Sequence, residues 1–224
     1  MKTKTKVGLI ASISMIVIGT GMIAASLSSV GWNWTGLFHD SREKRVVGVE
    51  KPYTSVVVNT AADSIELDYS PDNKETVVEL YDNEAYPYDV YVSDDTLFIV
   101  MKEEGFSFNN FFTDGIAGRK VTVKLVGGEY DVVNVRTGIG NIDVKGSMYV
   151  NRFISETGIG DIDVAKTVAI DKLNAKTGIG GISVPKASGL TELQTGIGNI
   201  RTDAYKDRSG NLSIHTGIGK AYAQ

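Results

Sequence analysis

Few residues in this chain have the types and spacing that chemistry needs. There are two histidines, His39 and His215, and no cysteine in 224 residues. His215 stands two residues from Ser213, which places both on one face of an extended strand. A serine and a histidine so placed are two parts of a nucleophile–base–orienter relay, but no third member can be named. Asp161 and Asp163 also share a face, and paired carboxylates can cleave a glycosidic bond. No sugar-holding aromatics stand near them, so a solvated strand face is the expected reading. Gly-x-Gly steps cradle phosphate only where a helix follows, and here a strand pattern follows each one. Residues 158–163, Gly-Ile-Gly-Asp-Ile-Asp, are similar to calcium-binding β-roll repeats. The matching positions Asn141, Asp161, Gly181, Asn199 and Lys220 form no carboxylate ladder, which argues against calcium. The expectation is no catalytic residue, no metal and no cofactor, with a polysaccharide-acting β-helix enzyme as the remaining chemical alternative.

What must position these residues is a repeat. Thr-Gly-Ile-Gly occurs five times, starting at Thr137, Thr157, Thr177, Thr195 and Thr216, in steps of 20, 20, 18 and 21 residues. A period near 20 means one supersecondary unit stacked on copies of itself. Counting back by twos from each Ile gives apolar columns such as Phe153, Ser155, Thr157, Ile159, the mark of a strand with one buried face. This reading puts Ile139, Ile159, Ile179, Ile197 and Ile218 inside, and the threonines inside with their hydroxyls on turn backbone. After the second Gly the phase slips by one, and pairs such as Ile162 and Val164 begin a new alternation. A slip of one turns side chains to the other face, so Gly140, Gly160, Gly180, Gly198 and Gly219 are structural corners. A second slip, between Val150 and Phe153 and at its equivalents, predicts a second corner. The fold class expected is all-β, a parallel β-helix (β-solenoid), preceded by one N-terminal transmembrane helix.

Residues 7–31 contain no charge, and a bilayer needs roughly 20 apolar residues to span. Lys2, Lys4 and Lys6 precede the run, and Trp32, Trp34 and Phe38 follow it where an aromatic belt would sit. The run reads as a retained single-pass anchor with its N-terminus in the cytoplasm and the rest extracytoplasmic. A cleaved signal peptide is the alternative, with Ala24, Ala25 and Ser26 offering small residues for cleavage. All 27 acidic residues lie after His39, whereas three of the 23 basic ones precede it. That acidic balance excludes nucleic acid, which needs a basic stripe. The organisation expected is 1–31 for cytoplasmic tip and anchor, 32–50 for a juxtamembrane linker, and 51–224 for the β domain. The β domain divides into irregular first coils over 51–135 and regular repeats over 136–224.

Strands are expected at 54–59, 64–69, 75–81, 86–92, 95–102 and 119–126, closing one end of the stack. Between the last two, residues 105–118 carry Phe106, Phe108, Phe111 and Phe112, four of seven Phe. A loop this apolar either folds back as a cap or makes a partner contact. The last repeat has no obvious cap, which raises end-to-end self-association.

The anchor, the segment Asp95-Thr-Leu-Phe-Ile-Val and the repeated Thr-Gly-Ile-Gly-Asn/Asp-Ile-Asp-Val together resemble the bacterial DUF4097 β-strand-repeat family, the "putative adhesin" domain, over roughly 50–224. The resemblance implies a β-helical cell-envelope protein of bacteria, often Gram-positive, with some members linked to envelope-stress operons. It carries no catalytic residues. The function expected is a non-catalytic scaffold or accessory to envelope-stress sensing, with a membrane-protein partner. The alternative is an adhesin that binds wall or host polymer.

Overall fold

The computed structural model describes residues 43–69, 72, 74–82, 87–102, 119–185, 187–202 and 210–223. Within them the chain forms seventeen strands. The non-repeating half gives β1 (Glu43–Val49), β2 (Ser55–Thr60), β3 (Ser64–Tyr69), β4 (Thr76–Asp82), β5 (Tyr88–Ser93), β6 (Thr96–Met101) and β7 (Lys120–Leu125). The repeats give long and short strands in alternation. These are β8 (Glu129–Ile139), β9 (Ile142–Lys145), β10 (Tyr149–Ile159), β11 (Ile162–Val164), β12 (Ala169–Ile179) and β13 (Ile182–Val184), then β14 (Thr191–Ile197), β15 (Ile200–Thr202), β16 (Leu212–Ile218) and β17 (Ala221–Ala223). Among the described residues no helix is long and apolar enough to cross a membrane. The apolar run at 7–31 and the four phenylalanines at 106, 108, 111 and 112 lie outside the described residues.

Each repeat sends its long strand to one sheet and its short strand to the other. The first sheet runs β16-β14-β12-β10-β8-β2-β6-β5, and the second runs β1-β4-β7-β3-β9-β11-β13-β15-β17. Successive repeats pair in parallel and in strict register, with Thr157 against Thr137 and Thr177, and Ile162 against Ile142 and Ile182. Residues of the same type therefore stack, one per level. The core lies between the sheets and is filled by Val133, Val135, Phe153 and Leu173 from one side and Ile142, Val144, Ile162 and Ile182 from the other. Burying one such aliphatic side chain contributes about 1.5–3 kcal/mol.

Two expectations are corrected. The motif isoleucines are not inside: Ile159, Ile179 and Ile197 are about half exposed and Ile218 is 68% exposed. The buried column of β10 ends at Thr157, because the backbone already turns at Gly158 and carries the next side chain outward. The second phase slip is not a corner either. β10 is continuous from Tyr149 to Ile159, and its two successive outward residues, Asn151 and Arg152, form a kink shared by each long repeat. The true second turn comes earlier, between Lys145 and Tyr149, where Gly146 has φ +84°.

The order of levels also differs from the order of the chain. β2 pairs with β8 on one side and with β6 on the other, so the later segment β6–β7 lies outside the earlier segment β2–β3. β5 then adds antiparallel to β6, and β4 and β1 add antiparallel beyond β7. On that outer face Glu79 accepts from Lys124 at 2.5 Å and Lys44 at 2.7 Å, and Glu66 accepts from Lys145 at 2.6 Å and Lys120 at 3.1 Å. Charged outer strands with Lys on them discourage further pairing at this end.

The two lysines hold the Glu79 carboxyl well below its ordinary value, at about 2. Its contribution to stability is therefore full above about pH 4.5 and is lost as pH falls toward 2. Glu79→Gln should flatten stability between those limits, measured by urea unfolding at stepped pH. Equal acid sensitivity in both proteins would refute this. In the core, the Ser155 hydroxyl is fully buried without a hydrogen-bond partner. Ser155→Ala should leave stability unchanged or raise it by about 1 kcal/mol. Gly160→Ala should lower it by about 3 kcal/mol or more, because both φ strain and a backbone clash oppose it.

Candidate functional site

The corner of the repeat is where sequence and geometry meet most closely. Gly160 and Gly180 sit at φ +149° and +150°, a region that only glycine enters cheaply. A Cβ on Gly160 would stand 2.0 Å from the carbonyl oxygen of Gly140 one level below. Gly140, Gly198 and Gly219 have the same conformation. The absence of side chains lets each threonine reach the level below: Thr157 Oγ1 donates to Gly140 O at 2.9 Å, Thr177 to Gly160 at 2.9 Å and Thr195 to Gly180 at 2.9 Å. Beside this ladder runs a second one. Asn141 Oδ1 accepts from Asp161 N–H at 2.9 Å, Asp161 Oδ1 from Gly181 N–H at 2.6 Å, and Asn199 Oδ1 from Lys220 N–H at 2.9 Å. The amide or carboxylate oxygen at this position therefore caps the next level's backbone, which is the chemistry that calcium would otherwise have used.

The corner continues one level further than the motif shows. Thr60 pairs with Thr137, and Ser64 occupies the place of Asn141, with its Oγ accepting from Asn141 N–H at 3.1 Å. Thr60-Ala-Ala-Asp-Ser-Ile is thus a sixth copy with its glycines replaced. The spacing of Thr to Ile, five residues in both copies, was the available signal. Here Asp63 takes the corner. It is 1% exposed, its carbonyl accepts from Thr60 at 2.9 Å and Thr137 at 3.0 Å, and its carboxylate accepts from Tyr88 Oη at 2.6 Å and Arg119 N–H at 3.2 Å. Arg119 is the residue at which the chain returns from 103–118, and its guanidinium lies 4.8 Å above the Tyr81 ring. Asp63 therefore fixes one end of the connection that carries the four phenylalanines.

The residues with chemical potential are not brought together. Ser213 Oγ lies 3.2 Å from His215 Nε2 on an exposed strand, and the residue in register with His215 is Gln194, not a carboxylate. Asp163 stacks between Asp143 and Ser183 on the outer face of the second sheet. Burial pushes the Asp143 carboxyl above its ordinary value, with Lys145 opposing and Asp163 and Glu66 adding to it. Asp161 and Asp163 line an open hollow of about 400 Å³ on this face, together with Ser183, Asn199, Arg201 and Tyr222. Among the described residues no group of three or more His, Cys, Asp or Glu could hold a metal ion.

What the surface does offer is rows. On the outer face of the first sheet Arg136, Glu156, Lys176 and Gln194 stand one per level. They wall a shallow groove of about 520 Å³ whose floor is Gly138, Gly158 and Gly178. Beyond the bare glycines stands the exposed isoleucine row.

The family model described as Toastrack DUF4097 matches residues 53–217. Among solved structures, a "putative cell adhesion protein" from Clostridium sporogenes is 15% identical, covering 82% of this chain and 99% of that one, with a TM-score of 0.53. A "putative adhesin" from Bacteroides fragilis is 14% identical, covering 84% and 100%, with a TM-score of 0.41. At these identities the first likeness is one of fold alone. None of the curated proteins matches the chain.

Asp63→Ala should lower stability by about 2–3 kcal/mol, since it removes the carboxylate that accepts from the buried Tyr88 hydroxyl and the part-buried Arg119 N–H. Asp63→Asn, which keeps one acceptor oxygen, should cost less. Thermal unfolding of both, with equal losses, would refute the role given to the carboxylate.

Proposed function

The chain belongs to the Toastrack DUF4097 family, and from that premise we propose that it is a membrane-anchored, non-catalytic envelope protein. Its stacked sheets form a parallel β-solenoid held at the outer face of the membrane as a scaffold or accessory to envelope-stress sensing. The observation that carries this reading is the length of the connection. The first strand begins at Glu43, so residues 32–42 alone separate it from the uncharged run that ends at Gly31. Even fully extended they reach at most about 40 Å. A domain on so short a tether works beside the bilayer. A membrane-protein partner is its natural target, and Phe106, Phe108, Phe111 and Phe112 are the candidate contact.

The second reading, an adhesin for wall or host polymer, is favoured by the likeness in fold to the Clostridium sporogenes cell adhesion protein. The rows of polar side chains on the first sheet suit a linear polymer laid along the stack. The polysaccharide-acting enzyme has less support: Tyr222 and Arg201 do line a hollow with Asp161 and Asp163, but it is open, and the Ser213–His215 pair lies on an exposed strand.

The deciding experiment is crosslinking in intact cells of the tagged full chain, beside a version with the four phenylalanines changed to Ser, followed by identification of the captured material. A membrane protein captured by the first and lost from the second, at equal expression, is the expected result. Retention on wall polymer with no membrane protein would replace this reading with the adhesin.

A further inference from the structure

The isoleucine of the Thr-Gly-Ile-Gly motif lies outside the core. Ile139, Ile159, Ile179, Ile197 and Ile218 pair level to level in parallel, forming one continuous ridge. Each isoleucine stands between two glycines, so nothing beside it in its own strand rises to cover it. Stacking of the levels does not require this. A threonine is equally β-branched, equally at home in a strand, and would face water at less cost. At the preceding level Ala62 stands where the others have Ile, so the ridge begins at the first full repeat. Four of the five, Ile159, Ile179, Ile197 and Ile218, are half-exposed or more, with Ile139 partly buried at the end of the row, and such a row on one edge is surface that calls for a cover.

We propose that the cover is a second copy of this chain, laid antiparallel against the first so that the two isoleucine ridges meet. The charges beside the ridge select this arrangement and its register. In order of level they are Arg136, Glu156, Lys176 and Gln194, all on the outer face of one sheet; Glu156 already pairs with Arg136 of its own copy at 3.3 Å, and both side chains are exposed enough for Glu156 to take a second cation. A two-fold axis crossing between the levels of Glu156 and Lys176 places each Glu156 against the other copy's Lys176, and Arg136 against Gln194. The same axis sets Ile159 against Ile179 and Ile139 against Ile197. Moving the axis half a level in one direction puts Glu156 on Glu156 and Arg136 on Lys176, and in the other direction puts Lys176 on Lys176. The glycine row between ridge and charges leaves room for the long side chains to lean across. A two-fold contact is self-complementary by construction, so one patch supplies both halves.

The contact is small. Four levels at about 4.8 Å each run some 20 Å along the edge, which puts the interface at the low end of specific contacts, below about 1,200 Å². The dimer is therefore weak in dilute solution and concentration-dependent, and it strengthens when copies are confined to a surface.

The test is sedimentation of the purified full chain in mild detergent over a concentration series, with unfolding temperature measured on each variant. The wild-type chain is expected to dimerise reversibly. Ile159→Thr with Ile179→Thr keeps the β-branched stack and should raise the dissociation constant about tenfold or more at unchanged unfolding temperature. Lys176→Glu should weaken the dimer similarly, and adding Glu156→Lys should restore it, because the reversed pair is again complementary. A chain that stays monomeric throughout overturns the proposal. So does a dimer indifferent to the isoleucine and charge changes, since it forms elsewhere. Loss of the dimer together with a lowered unfolding temperature in the threonine variant, with no rescue in the charge pair, also overturns it.

Discussion

Each Thr-Gly-Ile-Gly level rests on the level below through one close contact, the approach of its corner glycine to the carbonyl of the previous corner. At Gly160 there is no space for even a methyl group, since the neighbouring carbonyl oxygen lies where Cβ would be. That closeness brings the carbonyl within reach of the threonine hydroxyl, and the bond removes an orphan acceptor from a dry corner. A net hydrogen bond of this kind contributes about 1 kcal/mol, but leaving its acceptor bare inside the protein costs more. Thr and Gly are therefore two halves of one device. The threonine bond survives at Asp63, where Thr60 and Thr137 both donate to its carbonyl, but the close stack of one corner on the next needs the glycine.

The device also fixes phase. Because Thr157 must point inward to reach Gly140, the three positions before it in the column, alternating outward and inward, follow by the pleat of the strand. Because the chain turns at once, the isoleucine two residues later does not continue the alternation. Alternation alone therefore misplaces Ile159, and the misplacement has a physical cause: period two describes a straight strand, and the motif contains the bend. The kink at Asn151 and Arg152 misled in the opposite way, since a break in alternation without glycine there bent no sheet. Gly146 takes the true second turn at positive φ on its own level, whereas Ala165-Lys166-Thr167-Val168 makes the next one without any.

Other features were legible or hidden for equally local reasons. Six of the seven strands of the first half stood out because each alternates and is bounded by turn residues, and Asp94 and Asp95 do take positive φ in the β5–β6 turn; β1 (Glu43–Val49) did not, and it pairs with β4 where a linker was expected over 32–50. The swap of levels, with β6–β7 outside β2–β3, left no trace in the pattern, because parallel strands with one buried face look alike whichever neighbour they take. Asp63 was hidden for another reason. A sequence shows an aspartate at a turn, and only the fold reveals that Tyr88 and Arg119, 25 and 56 residues away, converge on it. Its burial reflects the loss of glycine at that corner. With a carboxylate in place of the bare turn, the sixth copy keeps the backbone stack under Gly140 and adds a side-chain hub that holds Tyr88 and the Arg119 N–H.

A surface made of rows recognises differently from a pocket. A pocket gathers unlike groups around one small molecule, and the hollow beside Asp163, Arg201 and Tyr222 does so only on an open face. Rows offer the same group, or a slow variation on it, at a fixed interval. Any ligand must then match the interval and gains affinity with the number of levels it spans, so no single residue dominates. The edge bearing Ile159 and Ile179 and the face bearing Glu156 and Lys176 are such a surface, apolar along one line and alternately charged along the next. A partner that repeats at the same spacing satisfies both lines together, and a second copy of the stack is the partner whose spacing matches without adjustment. The same reasoning separates the candidate functions. A polymer laid along the groove would exploit the polar row and leave the isoleucines wet, whereas association of copies covers them and leaves the remaining faces free for whatever the envelope presents.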